Sequence, residues 1–458
     1  MKKTIAIGIM LLVSVRGHNQ GTALKEQSQF TTSSKLVNPE KNTPFPYGHA
    51  IKELATDKLG HLWFTSTEGL YMYDGNAFRN YKEVEGLSLV GAVDLVQDKD
   101  GNIWVGAKGG LVKVSIEGTT PKLAGYAKPT TTARNSSGIW TSEPPGNDFV
   151  HNIYIGMDGT AWFGSGYKLY YLDVTTKKII ETAFGGFQYD KRKKAGRGNI
   201  DDFGFQGMQE DAEGNFLVAE AACEGEQATY LIHKADKYNP CFTLKCNHNL
   251  SNAKEKDQHK NNLEKIFHLV KVKGTDKSVA FYSSFKMRSG EIYYAGQGLN
   301  KLVNGQFVSV MSSTELDKDI ITKLFQDSKG NLWFGTAEGM NFEGKGVYFY
   351  NTTTHQLQNF DKADGLLSGL PFSNNVVTCI AEDGNGKIWV AGDAGLSFFA
   401  KYPEKGKRPV IKTLEKADGM DESHIYSIVS DKTGNIWFGT WNLGLFGIKA
   451  DKLNKYTE

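Results

Sequence analysis

Along most of its length the chain alternates one polar with one bulky residue, and a turn carrying Asp and Gly resets the alternation at intervals. Asp431-Lys432-Thr433-Gly434-Asn435-Ile436-Trp437-Phe438-Gly439-Thr440, followed by Gly444-Leu445, shows the pattern in full. An Asp carboxylate binds the backbone of a tight turn, and Gly supplies the positive φ at its tip. The stretch after the turn has the period of two of a β-strand, so the unit reads as a hairpin.

Eight copies can be aligned from Ile51 onward. The first holds Asp57, Gly60 and Trp63, then Gly69-Leu70; the second holds Asp98, Gly101 and Trp104, then Gly110-Leu111. The third keeps Trp162 but has Gly156 where the turn Asp stands. The fourth and fifth are degenerate, with Leu217 and Tyr293 in the Trp register, and the last three return to form at Trp333, Trp389 and Trp437. Each unit accommodates four short strands, and one such sheet cannot bury both faces alone. Units of roughly 40 to 55 residues with this strand content stack radially, which predicts an all-β fold, a β-propeller of eight four-stranded blades. Seven blades is the alternative, because the two degenerate units flank the largest insertion. The repeated tryptophans are expected to pack between adjacent sheets rather than to bind anything.

Outside the repeats, Met1 to Gly17 has a basic start and an apolar run, the form of an export signal too short for a permanent span. Val15 stands where a lipid-modified cysteine would be needed. Residues 18–45 are polar and read as a flexible arm, leaving 46–458 for the propeller. Spacing breaks at Thr130–Phe149, at the basic run Lys191–Arg197 and, most widely, at about Asp236 to Gly274. This last insertion carries Cys241, Cys246 and an amphipathic pattern over Leu263, Ile266, Phe267 and Val270. Net charge is +2, with 53 Lys+Arg against 51 Asp+Glu, so no general attraction to nucleic acid or anionic membrane is expected. The 51 glycines against 11 prolines fit a meander of tight turns.

The pattern Asp-x-x-Gly-Asn-Ile-Trp-Phe-Gly-Thr, then Gly-Leu, resembles the two-component regulator propeller repeat. Two connectors carry the same resemblance: Phe360-Asp361-Lys362-Ala363-Asp364-Gly365-Leu366 ahead of Ser373-Asn374-Asn375-Val376, and Leu414 to Met420 ahead of Ser423-His424-Ile425. The likeness runs from about Pro46 to the C-terminus and is strongest in the first two and last three units. It implies an exported sensory propeller of the kind that hybrid histidine kinases carry outside the membrane, often for carbohydrates. The chain as given ends at Glu458 without a span or kinase, so a free-standing binding protein fits it best. Streptogramin lyases use a similar Gly-Asn-Ile-Trp-Phe strand.

In a propeller the innermost strands surround a channel whose mouth takes ligands. Residues just ahead of those strands are the candidates: His49, His151, Asn152, Asp201, Asp202, Asp319, Asn374, Asn375, Ser423 and His424. Their imidazoles, carboxylates and amides suit a glycan or another small polar ligand, with His151 and His424 nearest the strands. The alternative is a lyase or hydrolase with one of these histidines as general base, although no nucleophile elbow, His-Glu-x-x-His or phosphate loop is present. Asp98-Lys99-Asp100-Gly101 lacks the later acidic ligands of a calcium loop. Cys241 and Cys246, with His248 nearby, suit a disulfide better than zinc in an exported protein; Cys223 is a further possible partner, and Cys379 reads as a buried free thiol. No cofactor is expected. A monomer in the periplasm or medium is expected, with a small polar ligand or glycan, and a separate membrane protein as a possible partner.

Overall fold

The computed structural model describes residues 49–129, 149–165, 168–182, 203–222, 227–238, 268–296, 298–310, 319–338, 344–368, 375–404, 407, 409–414 and 424–450. The signal, the arm, Asp201, Asp202, Asn374, Ser423, the basic run, Cys223, Cys241 and Cys246 therefore lie outside the described residues.

Eight antiparallel sheets follow one another in chain order, each laid down strand beside strand from the inside outward. Seven have four strands, and the eighth has three among the described residues. The inner strands are Ile51–Thr56, Leu95–Gln97, Val150–Ile155, Phe203–Glu210, Phe281–Lys286, Asp319–Gln326, Val377–Glu382 and Ile425–Ser430. Each touches its neighbours, and the eighth closes on the first. The protein is thus an eight-bladed β-propeller, and the seven-blade alternative falls. The degenerate fourth and fifth units are full blades whose outermost strands are His268–Leu269 and Gln306–Ser309.

Alternation along the Trp strand explains the stacking. In the first blade Trp63 turns toward Leu95, Ile103 and Val105 of the second, while Phe64 turns back toward Trp437 and Leu445 of the eighth. Trp104, Trp162, Trp333 and Trp389 likewise pack onto the following blade, as the sequence pattern predicts. A fully buried aromatic of this size contributes roughly 2–3 kcal/mol through area alone, so the blade seams are the core. The glycine after Trp-Phe has a seam role as well. A Cβ at Gly439 would sit 2.5 Å from Ile51 Cγ2, and one at Gly335 would sit 2.5 Å from Val377 Cβ. Larger residues there would push the next inner strand away.

The turn Asp does more than hold its turn. Asp431 Oδ1 accepts from Thr433 N at 2.9 Å and Asn435 N at 3.0 Å, while Oδ2 accepts the indole N–H of Trp437 at 2.7 Å. The same carboxylate-to-indole bond joins Asp57 to Trp63, Asp98 to Trp104, Asp327 to Trp333 and Asp383 to Trp389 at 2.8–2.9 Å. In the fifth blade both partners are gone together: Met287 and Tyr293 fill the two positions in one apolar cluster. In the third, where Gly156 replaces Asp, Glu210 of the fourth blade takes the space. Its Oε1 lies 3.0 Å from where a Gly156 Cβ would be, its Oε2 accepts from Met157 N, and Lys237 forms an ion pair with it.

Candidate functional site

In seven of the eight inner strands the register slips once near the start, as between Ile51 and Leu54, Ile321 and Lys323, and Ile425 and Ser427. A bulge of this kind bends a strand and re-aims its side chains. At the bulge or immediately after it lies one register position, ten residues before the repeat tryptophan position in every blade. Its charged occupants are Glu53, Asp94 and Lys323; the rest are Asn152, Gly207, Ser283, Cys379 and Ser427. Lys323, from blade six, acts electrostatically on Glu53 of blade one, Asp94 of blade two and Cys379 of blade seven. The eight inner strands close on one another in a ring, and this register position is the same in every blade. This position is therefore a ring around the channel.

The seams tie the ring together. Ser427 Oγ accepts from Leu54 N of the first blade at 3.1 Å, and Asp94 Oδ2 accepts from Ile153 N of the third at 2.6 Å. Both donors follow a ring residue, at the point where the bulge interrupts pairing within the sheet. Burial in the channel wall pushes the Glu53 carboxyl up to about 7, with Asp94 adding to the effect and Lys323 and Ser427 opposing it. Burial likewise pushes Asp94 up to about 6, against hydrogen bonds from Ile153 and Leu95 and the charge of Lys323. The Cys379 thiol, buried and free as anticipated, is pushed up to about 12 by the same desolvation.

One residue earlier in the repeat lies the next layer toward the mouth, with Lys52, His151 and Tyr426. Lys52 Nζ stands 4.4 Å from the Tyr426 ring centre and 4.6 Å from that of Trp441, whose rings are 5.2 Å apart. Burial lowers the Lys52 pKa. Trp441 is outside the repeat register, and its backbone N–H donates to the His424 carbonyl at 3.0 Å. Its half-buried ring belongs to the mouth and not to a blade seam.

The sequence candidates distribute as follows. Asn152 belongs to the polar ring and sits at the third blade's bulge with φ 52°; His151 is half-buried in the layer above. His49 is half-buried, with Nδ1 3.1 Å from Thr67 Oγ1 and Nε2 3.9 Å from Glu68 Oε1 in its own blade. Asp319 opens the sixth inner strand. Asn375 precedes the seventh with φ 57°, its carbonyl accepting from Gly346 N at 3.1 Å, and His424 is exposed ahead of the eighth. Sequence reasoning missed Glu53, Asp94, Lys323, Lys52 and Trp441. A cleft of about 390 Å³ also lies between the turns of blades eight and one, lined by Leu59–Leu62 and Asp431–Thr433. It is at the other end of the inner strands, and its walls are the repeat turns themselves. Among the described residues no group of three or more His, Cys, Asp or Glu is placed to hold a metal ion, and no helix is long and apolar enough to cross a membrane.

Four segments, residues 86–109, 315–338, 371–394 and 419–442, match the family model described as two component regulator propeller. These four segments carry the two-component regulator propeller repeat. No curated protein sequence matches it significantly. Among solved structures it is similar to the extracellular domain of the hybrid two component system BT4673 from B. thetaiotaomicron, at 15% identity and TM-score 0.47, covering 90% of this chain and 39% of that one. It is also similar to a virginiamycin B lyase from Staphylococcus aureus with quinupristin, at 11% identity and TM-score 0.45, covering 91% and 99%. The chain thus spans about two fifths of the BT4673 domain.

Proposed function

We propose that the chain is an exported sensory propeller that binds a small polar ligand or glycan at the mouth of its central channel and presents the bound state to a separate membrane protein. The observation that carries this reading is the layered mouth: an aromatic pair, Tyr426 and Trp441, with Lys52 over both rings, above a ring of polar and charged side chains. Aromatic faces stack on apolar ligand surfaces while a few convergent polar groups set orientation. The family repeat supports a sensory module, and the first 17 residues support export.

A lyase or hydrolase needs an imidazole beside a carboxylate at the reacting end. The short pair formed by His61 Nδ1 and Asp57 Oδ2, at 2.8 Å, instead sits in a repeat turn at the opposite end of the inner strand. The test is a thermal-shift screen of the mature protein against glycans, peptides and divalent ions. A stabilising compound recovered unchanged, with binding lost in Trp441→Ala, supports the sensor. Turnover abolished by His151→Ala or His424→Ala overturns it.

A further inference from the structure

The charges of the polar ring are unevenly placed. Glu53 and Asp94 come from adjacent blades, one and two; Lys323 comes from blade six, diametrically across an eight-membered ring from Asp94. Lys323 is half-buried, and among the described residues it makes no ion pair within 4.0 Å with either carboxylate. Its charge nevertheless reaches both. Between them the ring offers small or neutral groups: Gly207 and Ser283 on one arc, Cys379 and Ser427 on the other. A structural ion pair would have closed this distance, because charges desolvated in a channel are costly unless paired. Here the two signs are held on separate blades, Asp94 and Lys323 on opposite sides of the ring and outside ion-pair distance.

We infer that the channel ring of Glu53, Asp94 and Lys323 is a binding site for a small zwitterion with separated charged ends, of the ω-amino acid or dipeptide class. This rests on the reading of the channel as the ligand site. The ammonium end lies against Glu53 and Asp94, with the Asn152 amide beside them, and the carboxylate end against Lys323. Ser427 and Ile153 N already hold one face of the acidic wall in place, so the acceptors are positioned before the ligand arrives. A compound with one charged end leaves the opposite wall unpaired, which is the basis of selectivity.

Binding also couples to protons. Glu53 faces Asp94, Lys323, Ser427 and Cys379; Asp94 faces Glu53, Lys323 and the Ile153 and Leu95 N–H groups. Lys52 and His151 occupy the layer above. An incoming ammonium favours the ionised carboxylates, so affinity rises as pH is raised through about 6 and about 7, and protons are released on binding.

The experiment is calorimetric titration of the mature protein with glycylglycine, γ-aminobutyrate and ε-aminocaproate, with hexylamine and hexanoate as single-ended controls. At least one zwitterion binds about tenfold or more tightly than both controls, and Lys323→Met, Glu53→Gln and Asp94→Asn each weaken it by about tenfold or more. Asn at position 94 can still accept from Ile153 N, and thermal melting confirms that each variant is folded. Should Lys323→Met not fold, proton release measured in buffers of different ionisation enthalpy carries the test on the unaltered protein. No zwitterion binding, binding indifferent to these substitutions, or binding without proton release overturns the inference. If a screened glycan still binds through Trp441 in that event, the sensory reading stands without it; if nothing binds the channel, both fall.

Discussion

Asp383 and Trp389 are joined by a hydrogen bond of 2.9 Å from the indole N–H to Oδ2, while Asp383 Oδ1 holds Asn385 N and Lys387 N at 2.9 and 3.0 Å. One carboxylate thus fixes both the turn and the aromatic that spans the seam to the next blade. Asp383→Ala leaves three N–H groups without this acceptor and is expected to cost about 2–4 kcal/mol, whereas Trp389→Phe, which removes one bond and part of the packing, costs about 1–3 kcal/mol. Urea unfolding checks both.

Gly156 and Glu210 form a substitute for that pair in the third blade. A carboxylate placed there by Gly156→Asp would approach the Glu210 carboxylate, since its Cβ alone lies 3.0 Å from Glu210 Oε1. The expected loss is about 1–3 kcal/mol, mostly like-charge repulsion beside Lys237. In a Glu210→Ala background the same change should cost less, and a double-mutant cycle reads the coupling.

This division marks what the residues disclosed and what they did not. The aromatic register, blade count and seam role of Trp63 or Trp437 follow from a period of two that repeats with its turn, so they were legible. The indole bond was only partly readable: Asp and Trp stand together in five blades and are both lost in the fifth, but the third keeps Trp162 without the Asp and the fourth keeps Asp211 without the Trp. The ring was harder. Its occupants range from Gly207 to Lys323 and share position without sharing chemistry, and the bulge shifts them from the face that simple alternation assigns. Candidates chosen for nearness to the strand starts therefore included Asn152 of the ring and His151 above it but passed over Glu53.

Stability should fall as pH rises through the range in which Glu53 titrates. Its folded carboxyl ionises at about 7, above the usual range, so the fold prefers the protonated form. The resulting stability is present below the ordinary carboxylate value and is lost as pH climbs toward the folded one. Asp94, raised to about 6, acts in the same direction. Glu53→Gln removes the Glu53 contribution: it should leave stability unchanged in acid and raise it by about 1–3 kcal/mol in mild alkali. Melting curves across pH test the slope.

Cys379 should resist alkylation in the native protein at neutral pH, because its thiol is buried and ionises only near about 12. Mass spectrometry of the peptide containing Cys379, with and without denaturant, distinguishes protection by the fold from simple slowness.

The most direct test of a shared polar channel is a carbon-13 NMR titration of the Glu53 side-chain carboxyl in the unliganded protein and in Lys323→Met. The channel ring predicts a midpoint near about 7 in the parent protein and a higher one in the variant, since the lysine across the axis holds the value down. A midpoint in the ordinary carboxylate range, or one that does not respond to the loss of Lys323, would contradict it.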